Sequence, residues 1–177
     1  MYSQNFSCAI ITSQKEKKHN KKRKRKMRKK LLKSRPGSMI FMTGTLIRCM
    51  SSQKFAEKGF EITPEQYLIL TLLVENGELY QRQLAEITLK DRGNIARIIG
   101  ILQEKGLIKK ITDSNGRRIY KIAVTEKGKE LRNKIYPTDI ELRSLMQKGI
   151  SQKEIENTLK TIEKIYKNVK DTVKLQI

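Results

Sequence analysis

The sequence predicts a mainly α-helical fold with β-structure confined to one small hairpin: a winged helix-turn-helix lobe set among further helices. Two observations carry the prediction. Ile95, Ile98, Ile99 and Leu102 recur at spacings of three, one and three, which places all four on one side of a helix. Two short apolar runs follow, Leu107–Ile111 and Ile119–Val124, separated by a turn holding Asn115-Gly116, a strong signal for a tight hairpin. Composition agrees, with 37% hydrophobic residues, only 6% aromatic residues and three prolines in 177 residues. That length suits one core rather than two.

Taken in order, the chain opens on a basic tail. Residues 1–37 hold 14 Lys or Arg against one acid, Glu16, so +13 of the net +21 lies there. A block of like charge with little to bury predicts disorder. Three readings of it stand side by side. It is an upstream extension, with the true start at Met27, Met39 or Met42; or a basic arm adding phosphate contacts without sequence preference; or, in a eukaryotic cell, a nuclear-localisation signal through Lys21–Lys26.

Pro36-Gly37-Ser38 punctuates the boundary to a folded region over residues 38–177. A first helix is predicted from Met39 to Lys58, with Met39, Met42, Leu46, Cys49 and Met50 as its stripe and Gly59 as its stop. Thr63 reads as the N-cap of a second helix, with Pro64 first inside it, Gln66 completing a capping box, and Ile62 and Tyr67 at the staple positions. That helix is apolar nearly all round and is expected to be buried, ending near Gly77. A short third helix spans Tyr80–Ile87 with Leu84 and Ile87 inward. Thr88-Leu89-Lys90 turns into the helix capped by Asp91 and stopped by a left-handed Gly106.

After the hairpin, Thr125 opens a helix carrying Leu131, Ile135, Leu142 and Leu145, with a kink expected at Pro137. Ser151 and Glu154 form another capping box. The last helix then repeats Ile155, Leu159, Ile162, Tyr166, Val169 and Val173 at alternating spacings of four and three. Such a seam at a chain end suits contact between subunits better than packing within one.

The pattern favours a polyanion partner. The helix behind Asp91 has its apolar face inward and Gly93, Asn94, Arg92 and Arg97 elsewhere. In a major groove, Arg92 and Arg97 suit guanine edges or phosphates, Asn94 suits adenine, and Gly93 permits close approach. Lys109 and Lys110 on the wing strand suit phosphates. Arg117 and Arg118 at the tip suit a narrow minor groove. Other classes find little support. Two cysteines (Cys8, Cys49) and one histidine (His19) exclude a Cys/His zinc cluster and make a disulfide framework and an extracellular home improbable. No cofactor or metal is indicated, no phosphate-binding glycine loop is present, and nothing converges on catalysis. The N-terminus does not read as a signal peptide, and no apolar stretch reaches the length of a membrane span. An RNA- or ribosome-associated protein is the alternative, prompted by the tail but lacking an aromatic stacking cluster.

Four motifs in order, ITPEQYLIL, QLAEITLKDRGNIARIIGILQEKGLI, DSNGRR and VTEKGKEL, make residues 39–175 resemble the MarR family of transcription regulators. The resemblance implies a winged helix-turn-helix at 60–124 and dimerisation helices at 38–59 and 125–177. It implies a cytoplasmic, nucleoid-associated homodimer on a pseudo-palindromic operator in double-stranded DNA, often a repressor released by a small phenolic or anionic effector. Asp91, Arg92, Gly93, Asn94 and Arg97 then belong to the recognition helix, and Lys109, Lys110, Arg117 and Arg118 to the wing. Arg118 matches the family's tip arginine, although Gly116 stands where an Asp often braces it. Arg48, Tyr67 and Tyr136 are candidates for an effector pocket, with core packing the plainer role for the two tyrosines. Cys49 falls too late for the family's redox cysteine and reads as a small packed residue.

Overall fold

The computed structural model describes residues 20–23, 26–27, 35–112 and 120–173. They divide into two units, the first ending at Cys49 and the second beginning at Met50. Helix α1 (Pro36–Glu57) begins in the first unit and ends in the second. It starts ahead of the expected Met39 because Pro36 occupies a first-turn position, where the amide it lacks has no helical partner. Within the first unit Met39, Ile40, Phe41, Leu46 and Ile47 are exposed. Cys49 is exposed as well, contrary to its expected packing, since its side of the helix is uncovered there.

In the second unit the end of α1 joins the core through Phe55. Gly59, at φ 72°, stops the helix in the left-handed region. The Gly59 amide then donates to the Ala56 carbonyl at 3.0 Å and the Phe60 amide to the Phe55 carbonyl at 2.9 Å, a Schellman closure. The Phe55 ring meets those of Phe60 and Tyr67 edge-on, with centroids 6.0 and 5.5 Å away.

Helix α2 (Pro64–Asn76) opens on the predicted capping box. The Gln66 amide donates to Thr63 Oγ1 at 3.2 Å and the Thr63 amide to Gln66 Oε1 at 3.0 Å. Its Ile69, Leu70 and Leu73 are fully buried, whereas Leu68 is exposed, so the helix is not covered on every side as expected. Strand β1 (Leu79–Tyr80) was not anticipated, because two residues are too few to show an alternation. Helix α3 (Gln81–Thr88) begins one residue later than predicted, because Tyr80 is held extended as its cap. Leu84 and Ala85 face inward, but Ile87 is 52% exposed. At 3.6 residues per turn it stands about 200° around the helix from Ala85.

The turn out of α3 rests on Leu89, the one described non-glycine residue with positive φ (52°). The Lys90 amide donates to the Ala85 carbonyl at 3.1 Å, so the helix end requires this conformation. A left-handed residue with a Cβ costs about 1 kcal/mol. Leu89→Gly should therefore stabilise the protein by up to about 1 kcal/mol, less the greater freedom glycine gives the unfolded chain. Denaturant titration checks it, and a loss above about 1 kcal/mol would contradict it.

Helix α4 (Arg92–Glu104) buries Ile95, Ile98, Ile99 and Leu102, as their spacing predicted. It ends on Gly106 (φ 68°), with the Gly106 amide donating to Gln103 and the Leu107 amide to Leu102, both at 2.9 Å. Strands β2 (Ile108–Thr112) and β3 (Tyr120–Val124) pair antiparallel from Ile108 opposite Val124 to Thr112 opposite Tyr120. β1 adds to the far side of β3, so the sheet order is β1-β3-β2. Helix α5 (Glu126–Gln147) runs continuously through Pro137 and buries Ile135, Thr138 and Leu142, leaving Leu145 exposed. Helix α6 (Gln152–Lys170) carries the Ser151–Glu154 capping box and buries none of its residues. Among the described residues no helix is long and apolar enough to cross a membrane.

Candidate nucleic-acid interface

The position of α4 follows from its four buried apolar residues, which fix its rotation about its own axis and leave residues 91–94, 96 and 97 exposed. Asp91 caps the helix, with Oδ1 accepting the Asn94 amide at 2.8 Å. Its Oδ2 accepts the side-chain Nδ2 of the same Asn94 at 3.2 Å. Arg97 Nη2 donates to Asn94 Oδ1 at 3.4 Å. Asp91, Asn94 and Arg97 thus form a chain of contacts along the exposed side of α4. The bonds from the Asn94 backbone and side chain hold the Asp91 carboxyl below its ordinary value. Gly93 beside them presents no side chain. A Cβ there would lie 3.4 Å from Asp91 Oδ1, an ordinary contact, so the fold itself does not require the glycine. Arg92 is exposed in the first turn.

On the wing, Lys109 and Lys110 are both exposed but stand opposite Ala123 and Ile122 respectively. Neighbouring strand residues alternate faces, so the hairpin presents one lysine on each side rather than a pair on one side. Arg117 and Arg118, with Gly116, lie outside the described residues. Beside the base of the hairpin, the end of α4 is tied to the loop between α1 and α2 and to the start of α5. Lys105 Nζ donates to the Glu61 carbonyl, Lys127 Nζ to the Lys105 carbonyl at 2.8 Å, and Thr125 Oγ1 to the Gly106 carbonyl at 2.8 Å.

The α6 stripe is uncovered among the described residues: Leu159 is 61% exposed, and Ile162, Tyr166 and Val169 are exposed, whereas Val173, expected on the same helix, lies exposed beyond its end at Lys170. Ile155 is only half-covered. Among the described residues, nothing covers this run of apolar side chains at helical spacing.

Of the candidate effector residues, Tyr67 is 7% exposed in the core, Tyr136 is 40% exposed on α5, and Arg48 is exposed in the N-terminal unit. A residue that sequence reasoning missed stands by the two tyrosines. Arg132 lies over the Tyr136 ring at 4.5 Å and donates to Glu75 at 3.3 Å. Its signal was the Arg-x-x-x-Tyr spacing, one helical turn. The Tyr67 hydroxyl, Thr71 Oγ1 and Arg132 Nε are buried and form no hydrogen bond of normal geometry among the described residues. Burial, and then the nearby Asp139 carboxylate, push the Tyr67 phenol up.

Helix, strand, helix, turn, helix and two-stranded hairpin, with the exposed face of α4 polar and basic, form a winged helix-turn-helix, a DNA-binding fold. Comparison with known proteins narrows the class. A MarR-family profile matches residues 60–119. The HTH-type transcriptional regulator YybA of Bacillus subtilis (strain 168) is 38% identical over 95 residues, which are 53% of this chain and 61% of YybA. The match therefore spans less than two thirds of that relative. The solved transcriptional regulator SlyA is 30% identical, with a TM-score of 0.70, over 76% of this chain and 94% of its own. The S. aureus MepR–DNA complex shares the fold at 20% identity, with a TM-score of 0.70, over 76% of this chain and 98% of MepR. The chain belongs to the MarR family of winged-helix transcription regulators. Members are DNA-binding proteins without enzymatic activity.

Proposed function

We propose that the protein binds a pseudo-palindromic operator in double-stranded DNA as a homodimer, and represses transcription until a small phenolic or anionic ligand releases it. In this reading residues 60–124 read DNA, 38–59 and 125–177 join the two chains in the cytoplasm, and 1–37 add phosphate contacts. The observation that carries it is α4. Its four buried apolar residues leave Arg92, Gly93, Asn94 and Arg97 together on an exposed face, the combination a major groove can read. The MepR–DNA complex, on the same fold, supports DNA as the partner. Lys109, Lys110, Arg117 and Arg118 supply the wing contacts. The uncovered stripe of Ile155, Leu159, Ile162, Tyr166, Val169 and Val173 supplies the dimer. Tyr67 and Tyr136, joined by Arg132, are proposed for the effector in the second unit, and Arg48 is a separate candidate in the first. The buried Tyr67 hydroxyl and Arg132 Nε suit a ligand with a phenol or a carboxylate.

Selection of bound sequences from a random duplex pool by the full chain tests this. A palindromic consensus with half-sites about 10 bp apart, or a multiple of that, is expected. Recovery of no preferred sequence overturns it. Gly93 offers a second check with opposite signs in two measurements. Gly93→Ala should raise stability by up to about 1 kcal/mol, because alanine is the better helix former and meets no clash. It should also weaken operator binding several-fold, because the added methyl stands where a base edge must approach. Thermal melting and fluorescence anisotropy read the two effects. Unchanged affinity would show that this face does not approach DNA closely.

A further inference from the structure

We infer that Asp91 is a positioning residue for base recognition: its carboxylate fixes the orientation in which Asn94 presents its amide to a base. The inference rests on α4 being the helix that reads DNA. An asparagine amide has two N–H donors and an oxygen with two lone pairs. One donor goes to Asp91 Oδ2 at 3.2 Å, and one lone pair accepts Arg97 Nη2 at 3.4 Å. One donor and one acceptor remain, side by side on an exposed side chain. That is the pattern adenine takes through N7 and N6.

Unrestrained, the terminal torsion of asparagine is broad and two-fold, so the amide can turn over and offer the reverse pattern. Both neighbours select against that. Turned over, the amide would set its oxygen against the Asp91 carboxylate and its N–H groups against a guanidinium that can only donate. The residue type at position 91 points the same way. Serine caps a helix about as well as aspartate does. A carboxylate on a face meant for phosphates opposes binding electrostatically. Capping therefore does not account for the second oxygen, whereas holding Asn94 Nδ2 does.

Asp91→Ser and Asp91→Asn separate the two roles. Each keeps an acceptor for the Asn94 amide. Serine lacks the second acceptor, and asparagine can replace it with a donor. The readout is competition between the selected operator and single-pair variants, using the full chain. Discrimination at one base pair of each half-site should fall about tenfold in both variants, within the range of one bidentate contact. Preferences elsewhere and the melting temperature should hold. In an Asn94→Ala background, Asp91→Asn should cause no further loss. Full discrimination in both Asp91 variants overturns the inference, as does an equal loss without Asn94. A wild type with no base preference instead overturns the reading of α4 itself.

Discussion

Gly128→Ala should cost the fold about 3 kcal/mol or more, a fall in melting temperature of roughly 10 °C for a chain of this size. Gly128 is buried in the first turn of α5. A Cβ built there would lie 2.1 Å from the Leu107 carbonyl oxygen and 2.7 Å from Val124 Cγ2. The first of these is backbone and cannot swing aside like a side chain. That carbonyl also accepts the Thr125 amide at 3.0 Å, so moving it breaks the strap between α4 and α5. Helix propensity alone gives the opposite sign, because alanine is favoured over glycine by about 1 kcal/mol inside a helix. The clash is the larger effect. Gly100→Ala is the control, since a Cβ there meets nothing within 4 Å and should be neutral or stabilising. Thermal unfolding followed by circular dichroism distinguishes the two. Equal melting temperatures for both variants would show that the hairpin base yields freely.

Gly128 marks the limit of what the sequence discloses. In the sequence it is one glycine in VTEKGKEL, with nothing to separate it from the tolerant Gly100. Its need arises only when the end of α4 crosses the start of α5. The features that were legible are those closed within a few residues. The Thr63–Gln66 box, the Asp91 cap, the Gly59 and Gly106 stops and the inward set Ile95, Ile98, Ile99 and Leu102 each depend on one turn of chain. Ile87 misled because an eight-residue helix is too short for its periodicity to separate two apolar positions about 60° apart. Leu89 gave no warning either, since a left-handed helix stop is ordinarily glycine. The candidate interface divides the same way. Which residues of α4 face outward could be read from period alone. The Asp91–Asn94–Arg97 contacts needed side-chain positions, and so did the place of Arg132 against Tyr136. The division of Lys109 and Lys110 between two faces was available from strand alternation, but only once both were placed within one strand.

Leu159→Asp combined with Ile162→Asp should convert a dimer to a monomer and reduce operator affinity by about 10²–10⁴-fold. Both side chains are exposed in the single chain, at 61% and 42%. If nothing covers them, the exchange affects only an exposed helix, and the penalty is limited to the lower helix propensity of aspartate, under about 1 kcal/mol per site. If a second chain covers them, each dimer must bury four new carboxylates without partners, which costs several kcal/mol. These magnitudes are far enough apart to decide the matter. The effect on DNA follows from valency. A dimer binds its second half-site at the high effective concentration set by the first, and a monomer loses that advantage without losing any contact of its own recognition helix. The variant should therefore keep weak binding to an isolated half-site while losing the palindrome. Light scattering after size exclusion gives the mass, and anisotropy on half and full operators gives the affinity ratio. Dimeric mass with undiminished palindrome binding would remove α6 from the interface and leave its apolar stripe to some other partner. Monomeric mass with half-site binding intact would place dimerisation in α6 and sequence reading in the winged helix, two functions carried by separate faces of one short chain.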